Sequence, residues 1–405
     1  MPPFARDILL AILGAFVALL GWNGETAPAA ITLIPLLWML TPAGRAAFAL
    51  TFGYFSASTW VLAEGAVVFG SSVGEILVMV SAWLVQASLL AGLWAFARAW
   101  GRGGFRLLLA GLLVQISVLV PPLWLVGVAS PVLAWGYLMG GSGWLGLVVG
   151  LVAPLALGLW LISMRSSDRF KIIASILPVI ALASYTVDLD SRSSAGAYAV
   201  QTRWGDSGQS GFEHVLLRYP KIVAAVEVLR KSSGTTTVVF PEAILGTVFE
   251  SSGVAGEFDL VRPLAHQGLQ VLIGADRRVD GRLVESIMVI NRDQRVEWVN
   301  ARQPTPGSLW RPWSQDGYAA DWWSVPRVTI ADGRVALISF CHEDVMPGFF
   351  LSALLMGEPP DLVISVANNW WMRSDFGSRQ QAQHALALPK LFAIPIIRSV
   401  NRAGR

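Results

Sequence analysis

Two runs in the second half of this chain end in side chains capable of nucleophilic chemistry. Val238-Val-Phe-Pro-Glu242 closes a β-branched, apolar run with a carboxylate, and Val335-Ala-Leu-Ile-Ser-Phe-Cys341-His-Glu343 closes another with a thiol flanked by ionisable groups. Ligands of α/β folds gather beyond the carboxyl ends of strands, which makes both positions candidates. A free thiol, with a pKa of about 8.5, needs a base or a cation to become a competent nucleophile. Glu242, once desolvated, can take that proton, and the backbone N–H of His342 is a candidate donor to the oxyanion formed on attack. Each residue also has a plainer reading. With Pro241 at the first helical position, Glu242 would simply favour the positive end of a helix dipole. Cys341 would be a small buried hydrophobe.

Cys341 is the single cysteine, so neither an intramolecular disulfide nor a zinc site of several thiolates can form. His214, His266, His342 and His384 show no metal-ligand spacing, and neither a metal nor another cofactor is expected. The net charge of +3 comes from scattered residues, 26 of the 30 basic ones being arginine, with no dense basic run. Nucleic acid is therefore not an expected partner.

The elements that must position these residues follow from how the charge is distributed. Charged residues make up 14% of the 405 positions, against about 25% in an ordinary soluble domain. Only 14 of the 57 lie in the first 188 positions, so a membrane half, 1–188, precedes a water-soluble half. Apolar stretches run over 8–22, 28–41, 46–63, 75–97, 106–127, 143–163 and 170–187. A spanning helix wants about 20 such residues, which predicts a polytopic domain of about seven helices, the first two stretches being short. If all seven cross, one set of alternate loops carries Arg6, Arg45, Arg98, Arg102, Arg106, Arg165, Arg169 and Lys171, and the other set carries no Lys or Arg. That asymmetry puts the N-terminus in the cytoplasm and everything after a seventh crossing outside it, in the periplasm of a double-membrane bacterium. The aromatic, glycine-rich segment 131–142 is too broken to span and reads either as an interfacial segment or as a short loop.

Residues 189–197 are small and polar and read as a linker. Beyond them, strands near 198–203, 235–240, 269–273, 362–366 and 394–398 alternate with helical stretches near 216–231, 257–267 and 378–392, and Asp332-Gly333 marks a hairpin turn between two further strands. The pattern is that of an α/β layered domain with a mixed sheet.

Three segments, FPEAILG (240–246), FCHEDVMP (340–347) and ISVANNWW (364–371), lie in this order behind a polytopic membrane half. Together they resemble the carbon–nitrogen hydrolase (nitrilase) superfamily. The layout is similar to apolipoprotein N-acyltransferase, as are the membrane stretches Pro121-Pro-Leu-Trp-Leu and Trp144-Leu-Gly-Leu, and to the related conjugal transfer protein TraB group. The resemblance implies an α-β-β-α sandwich over 198–405, with Glu242 as general base, Cys341 as nucleophile and Glu343 in the Cys-x-Glu position. It also implies a phospholipid acyl donor, a lipoprotein or other amine acceptor and, from the TraB group, partners in a conjugation apparatus.

Two departures stand out. The family's third catalytic residue is a lysine, and no lysine lies between Lys231 and Lys390; Arg302 is the nearest cation to that position. Arginine keeps its charge and can stabilise an oxyanion, but it does not usefully give up a proton and its planar fork does not act as a point charge. Loss of one such donor typically costs about 100- to 1,000-fold in rate. The family also continues with further strands and a last membrane helix where this sequence stops at Arg405, so the domain is expected to be truncated, with an open sheet edge. Two expectations result: an acyltransferase or amidase working through a Cys341 thioester, and a nitrilase-fold membrane scaffold without turnover.

Overall fold

The computed structural model describes residues 1–24, 27–69, 72–101, 103–164, 193–206, 211–231, 234–248, 263–264, 268–372 and 374–404. Its helices are α1 (Pro3–Gly21), α2 (Leu33–Leu40), α3 (Gly44–Ser58), α4 (Val61–Phe69), α5 (Val73–Trp100), α6 (Gly104–Ser117), α7 (Trp135–Leu138), α8 (Gly143–Ile162), α9 (Gly211–Arg230), α10 (Pro347–Leu355) and α11 (Asp375–Leu391). By contact the chain divides into two compact units. One is Met1–Leu189 with Val345–Gly348 and Ser374–Ala393; the other is Asp190–Asp344 with Phe349–Arg373 and Ile394–Arg405.

In the first unit α1 and α5 are apolar all round and turn large side chains such as Ile12, Phe16, Val78 and Val85 outward, as lipid-facing helices do. Helices α1, α5 and α8 are long and apolar enough to cross a membrane, and α3 with α4 qualifies as one span bent by 50°. The described residues thus hold three or four candidate crossings, fewer than the seven expected. The stretch 28–41 yields only a short helix preceded by a 3-10 turn. Helix α6 ends at Ser117, ahead of Pro121-Pro122, whose rings lack the N–H that a continuing helix needs. The seventh stretch, 170–187, lies outside the described residues. Segment 131–142 forms a 3-10 turn and α7 over its first eight residues, with Val132, Leu133 and Ala134 buried.

Helix α11 also belongs to this unit, and it is polar. Gln380 Nε2 donates to Ser58 O at 2.6 Å, at the end of α3, and Gln383 Nε2 donates to Gly21 O, at the end of α1. The Gln383 Oε1 accepts Gly24 N–H at 2.8 Å, and His384 stacks on Trp22 with ring centroids 3.8 Å apart. The last carbonyls of a helix have no partner within it, and in an apolar unit these amides supply the donors that water would otherwise give.

The second unit is built on strands β1 (Ser193–Ser194), β2 (Ala197–Ala199), β3 (Thr237–Val239), β4 (Thr247–Val248), β5 (Gln270–Gly274), β6 (Asp276–Val279), β7 (Arg282–Val284), β8 (Ser286–Ile290), β9 (Val296–Asn300), β10 (Arg327–Thr329), β11 (Val335–Phe340), β12 (Leu362–Asn369) and β13 (Ile396–Arg402). A six-stranded sheet has the order β1-β2-β3-β5-β8-β9, a four-stranded one β10-β11-β12-β13, and β4-β6-β7 form a small third sheet. Both larger sheets are mixed: β2, β3 and β5 are parallel, as are β11, β12 and β13, while β8, β9 and β10 run antiparallel to their neighbours.

Successive residues of a strand face opposite ways, and here both faces are covered. Val239, Leu272 and Val289 meet Ile338, Ile364 and Ile397 of the second sheet, whereas Val238, Val271 and Met288 meet Val215, Ile222 and Val226 of α9. That is why these strands read as unbroken apolar runs. The Asp332-Gly333 turn joins β10 to β11 as expected, with Gly333 at φ 91°. At the edge strand β13 a single bridge forms: Thr202 donates its N–H to Val400 O at 3.0 Å and accepts that of Arg402 at 2.9 Å. The helix expected over 257–267 falls almost wholly outside the described residues.

Candidate active site

Glu242 follows β3 in a turn, not in a helix, so the helix-dipole reading of its carboxylate does not hold. The backbone crowds against the end of β5: a Cβ on Gly274 would lie 2.1 Å from Pro241 O and 2.5 Å from the Glu242 Cα, and only glycine fits there. The carboxylate is buried. Around it stand the Glu285 carboxyl, the Cys341 thiol and the backbone N–H groups of Cys341 and Asn368. Burial raises its pKa, and those neighbours partly offset the rise.

Cys341 is the first residue after β11 and is half-buried. Its Sγ lies 3.7 Å from Asn369 Oδ1 at the end of β12. Burial first, then the charges of Glu242 and Asp344, push the thiol well above its usual range. These surroundings are polar, unlike those of a cysteine serving as a small hydrophobe. The thiol is held protonated with a raised-pKa carboxylate beside it, which is the relation between a nucleophile and its base.

Glu343 is a strap. Its Oε1 accepts the N–H groups of Arg302 and Gln303, the latter at 2.9 Å, and its Oε2 that of Phe340 at 3.3 Å. Burial raises it to about 7 against these bonds and the Arg302 charge. Arg302 reaches the site through that backbone N–H. Its guanidinium donates to Phe349 O at 2.8 Å, Ser352 Oγ at 3.0 Å and Trp322 O, and it does not figure among the main influences on Cys341. The His342 ring is held neutral by burial, at about 4. The structure therefore gathers Glu242, Cys341 and Glu343 and directs the Arg302 side chain elsewhere.

Further polar groups, not singled out from the sequence, complete the surroundings. Asp344 Oδ1 accepts Ser339 Oγ and its Oδ2 accepts Ser365 Oγ, each at 2.7 Å, with Arg398 Nη2 3.7 Å away. Ser339, Ser365 and Arg398 are register partners on β11, β12 and β13, so one polar row crosses three strands. The matching Leu-Ile-Ser and Val-Ile-Ser runs were its sequence signal. Glu285 sits between β7 and β8 and is raised well above the usual range, first by burial and then by Glu242, which favours its neutral form. Asp276, raised by burial to about 7, accepts the Tyr318 hydroxyl at 2.7 Å. Among the described residues no group of three or more His, Cys, Asp or Glu side chains is placed to hold a metal ion.

Comparison with known proteins adds an independent line. A probable conjugal transfer protein TraB of Sinorhizobium fredii is 29% identical over 405 residues, covering 97% of each chain. The chain is a relative of the TraB conjugal transfer proteins. A conjugal transfer protein TraB of Agrobacterium fabrum is 26% identical over 98% of this chain and 93% of its own. No family model matches. Among solved structures, a CN-hydrolase superfamily protein of Xanthomonas campestris aligns with 42% of this chain and 62% of its own, at 17% identity and a TM-score of 0.29. A glutamine-dependent NAD(+) synthetase of Cytophaga hutchinsonii aligns with 43% of this chain and 30% of its own, at 10% identity and a TM-score of 0.26.

Proposed function

We propose that this chain is an inner-membrane acyltransferase or amidase of the nitrilase type that serves conjugal transfer. The observation that supports it is the Glu242 carboxylate beside the half-buried Cys341 thiol at the ends of two strands about a hundred positions apart. In this reading Glu242 takes the thiol proton, Cys341 Sγ attacks an acyl carbonyl, and collapse of the tetrahedral intermediate expels the leaving group, which takes that proton from Glu242, to give a thioester. An amine or water, giving up a proton to Glu242, then attacks the thioester, and the thiolate leaves and is reprotonated from Glu242. The donor is a phospholipid and the acceptor a lipoprotein-like amine. The membrane half is multi-pass with a cytoplasmic N-terminus, and the α/β half lies in the periplasm. Purified wild-type protein in phospholipid acquires a hydroxylamine-sensitive acyl label that Cys341→Ala lacks; equal labelling of the two removes Cys341 from the mechanism.

A second reading is a scaffold without turnover. The direction of the Arg302 guanidinium favours it, since that side chain is spent on Phe349 O and Trp322 O and the cation whose charge reaches Cys341 is Arg398, which is already paired with Asp344. In that case Cys341→Ala and Glu242→Gln restore conjugal transfer to a strain lacking the protein as fully as wild type does; loss of transfer at normal protein level excludes it.

A further inference from the structure

Main-chain pairing brings three carboxyl groups together. Leu245 N–H bonds Gly274 O at 3.0 Å, Asp276 N–H bonds Gly246 O at 2.9 Å and Ala275 N–H bonds Ser286 O at 3.0 Å, which stitches the turn carrying Glu242 to the strands carrying Asp276 and Glu285. All three side chains are more than nine-tenths buried, and each pair among them interacts. Tyr318 occupies Asp276 Oδ2, but Asp276 Oδ1 and Glu242 Oε2 meet no donor among the described residues. No lysine or arginine is among the main influences on any of the three. A buried acceptor left unmatched forfeits its hydration with no return, so two such oxygens on interacting carboxyls point to a donor beyond the described residues, for which a ligand is a candidate. A metal ion would need three ligands converging closely, and no described group does so. An ammonium head is different: it carries three N–H donors and one positive charge, and it binds at ordinary hydrogen-bond distances.

We propose that the carboxyl cluster of Glu242, Asp276 and Glu285 binds a primary ammonium group carried by a ligand, with Glu242 Oε2 and Asp276 Oδ1 among the acceptors. Glu242 opposes ionisation of Cys341, and a cation held beside its free oxygen cancels that opposition, so the ligand itself completes the charge balance of the site. As the acyl acceptor this ligand rests on the function proposed above; as a binding site it does not.

The test uses the detergent-solubilised full chain. Its thermal unfolding midpoint rises saturably with ethylammonium chloride, relative to sodium chloride at equal ionic strength, because the ligand binds only the folded form. Tetramethylammonium, which has the charge but no N–H donor, gives no such rise, and Asp276→Asn loses it. Equal midpoints in ethylammonium and sodium, or an equal rise with tetramethylammonium, overturn the proposal in the wild-type protein alone, whether or not the variant folds. Glycinamide against its N-acetyl form, and phosphatidylethanolamine against phosphatidylcholine nanodiscs, separate a peptide amine from a lipid headgroup as the source; a rise with either free amine supports the site, and none with both overturns it. The acyl label on Cys341 is read separately. A label without the ethylammonium rise defeats the cation site and leaves the thioester standing, and a rise without the label does the reverse.

Discussion

Glu242 acts on Cys341 in two opposed ways, and a single substitution separates them. As a neighbouring negative charge it holds the thiol protonated, and as a base it accepts the proton when an acyl carbonyl arrives. Glu242→Gln removes both effects. Iodoacetamide alkylation of Cys341 at pH 8 is therefore faster in the variant, several-fold, because the thiolate forms more readily, while acyl labelling falls by about 100-fold or more for want of the base. Parallel loss of both signals means that the carboxylate supports the turn and not the chemistry. Glu343 gives a separate test through stability. Its pKa rises from 4.5 in the unfolded chain to about 7 in the fold, so the folded state binds the extra proton and its contribution is fully present below about pH 4.5 and lost as pH rises through 7. Glu343→Gln keeps an acceptor oxygen and does not titrate. The stability of the variant relative to wild type therefore increases between pH 4.5 and 8, by roughly 3 kcal/mol at about 1.4 kcal/mol per pKa unit, as read from denaturant midpoints at the two pH values. A relative stability that is flat or falls with pH contradicts the buried, proton-binding carboxyl.

Elements carry these residues to one place, and glycine at one strand end decides how closely. At Gly274 an added Cβ meets backbone atoms only, at 2.1 to 2.5 Å, so the clash cannot be relieved by a side-chain rotation. Gly274→Ala accordingly displaces the turn holding Glu242, costs about 1–3 kcal/mol of stability as overpacking does, and abolishes the acyl label; unchanged midpoint and label refute the fit. Nothing in the residues around 274 announces this demand, because the atoms it must clear belong to a turn thirty positions earlier. The same distinction separates what the sequence shows from what it conceals. Strands β3, β5, β11 and β12 are legible because both faces are buried and their apolar runs are local signals, and Glu242 and Cys341 are legible because they end such runs. Asp276 and Glu285 become partners of Glu242 only through pairing between distant segments. Helix α11 is the clearest case: the sequence shows a helical stretch, but not that its glutamines at 380 and 383 bond carbonyls at the ends of α3 and α1 inside an apolar unit. A polar side chain in sequence has no sign telling water from an orphaned carbonyl.

At the scale of the whole molecule the open quantity is the number of crossings, because the side on which the site works depends on whether that number is odd. On a seven-crossing count Lys and Arg stand eight to none on alternate loops, which is the basis for proposing a cytoplasmic N-terminus. With three single spans and one bent pair among the described residues, the parity is decided by how the bent pair, the two shorter apolar helices and the stretch 170–187 are used. A periplasmic site demands an odd total. The chain offers a clean reporter, since Cys341 is its single cysteine and Trp313, in the second unit, is 75% exposed. In a Cys341→Ser background, Trp313→Cys is labelled by a membrane-impermeant maleimide in intact spheroplasts, and the background alone is not. Labelling that waits for lysis makes the total even and places the site in the cytoplasm. Phospholipid would still be in reach there, but an acceptor exported across the membrane would not, so the chemistry of the acceptor and the parity of the helices stand or fall by the same measurement.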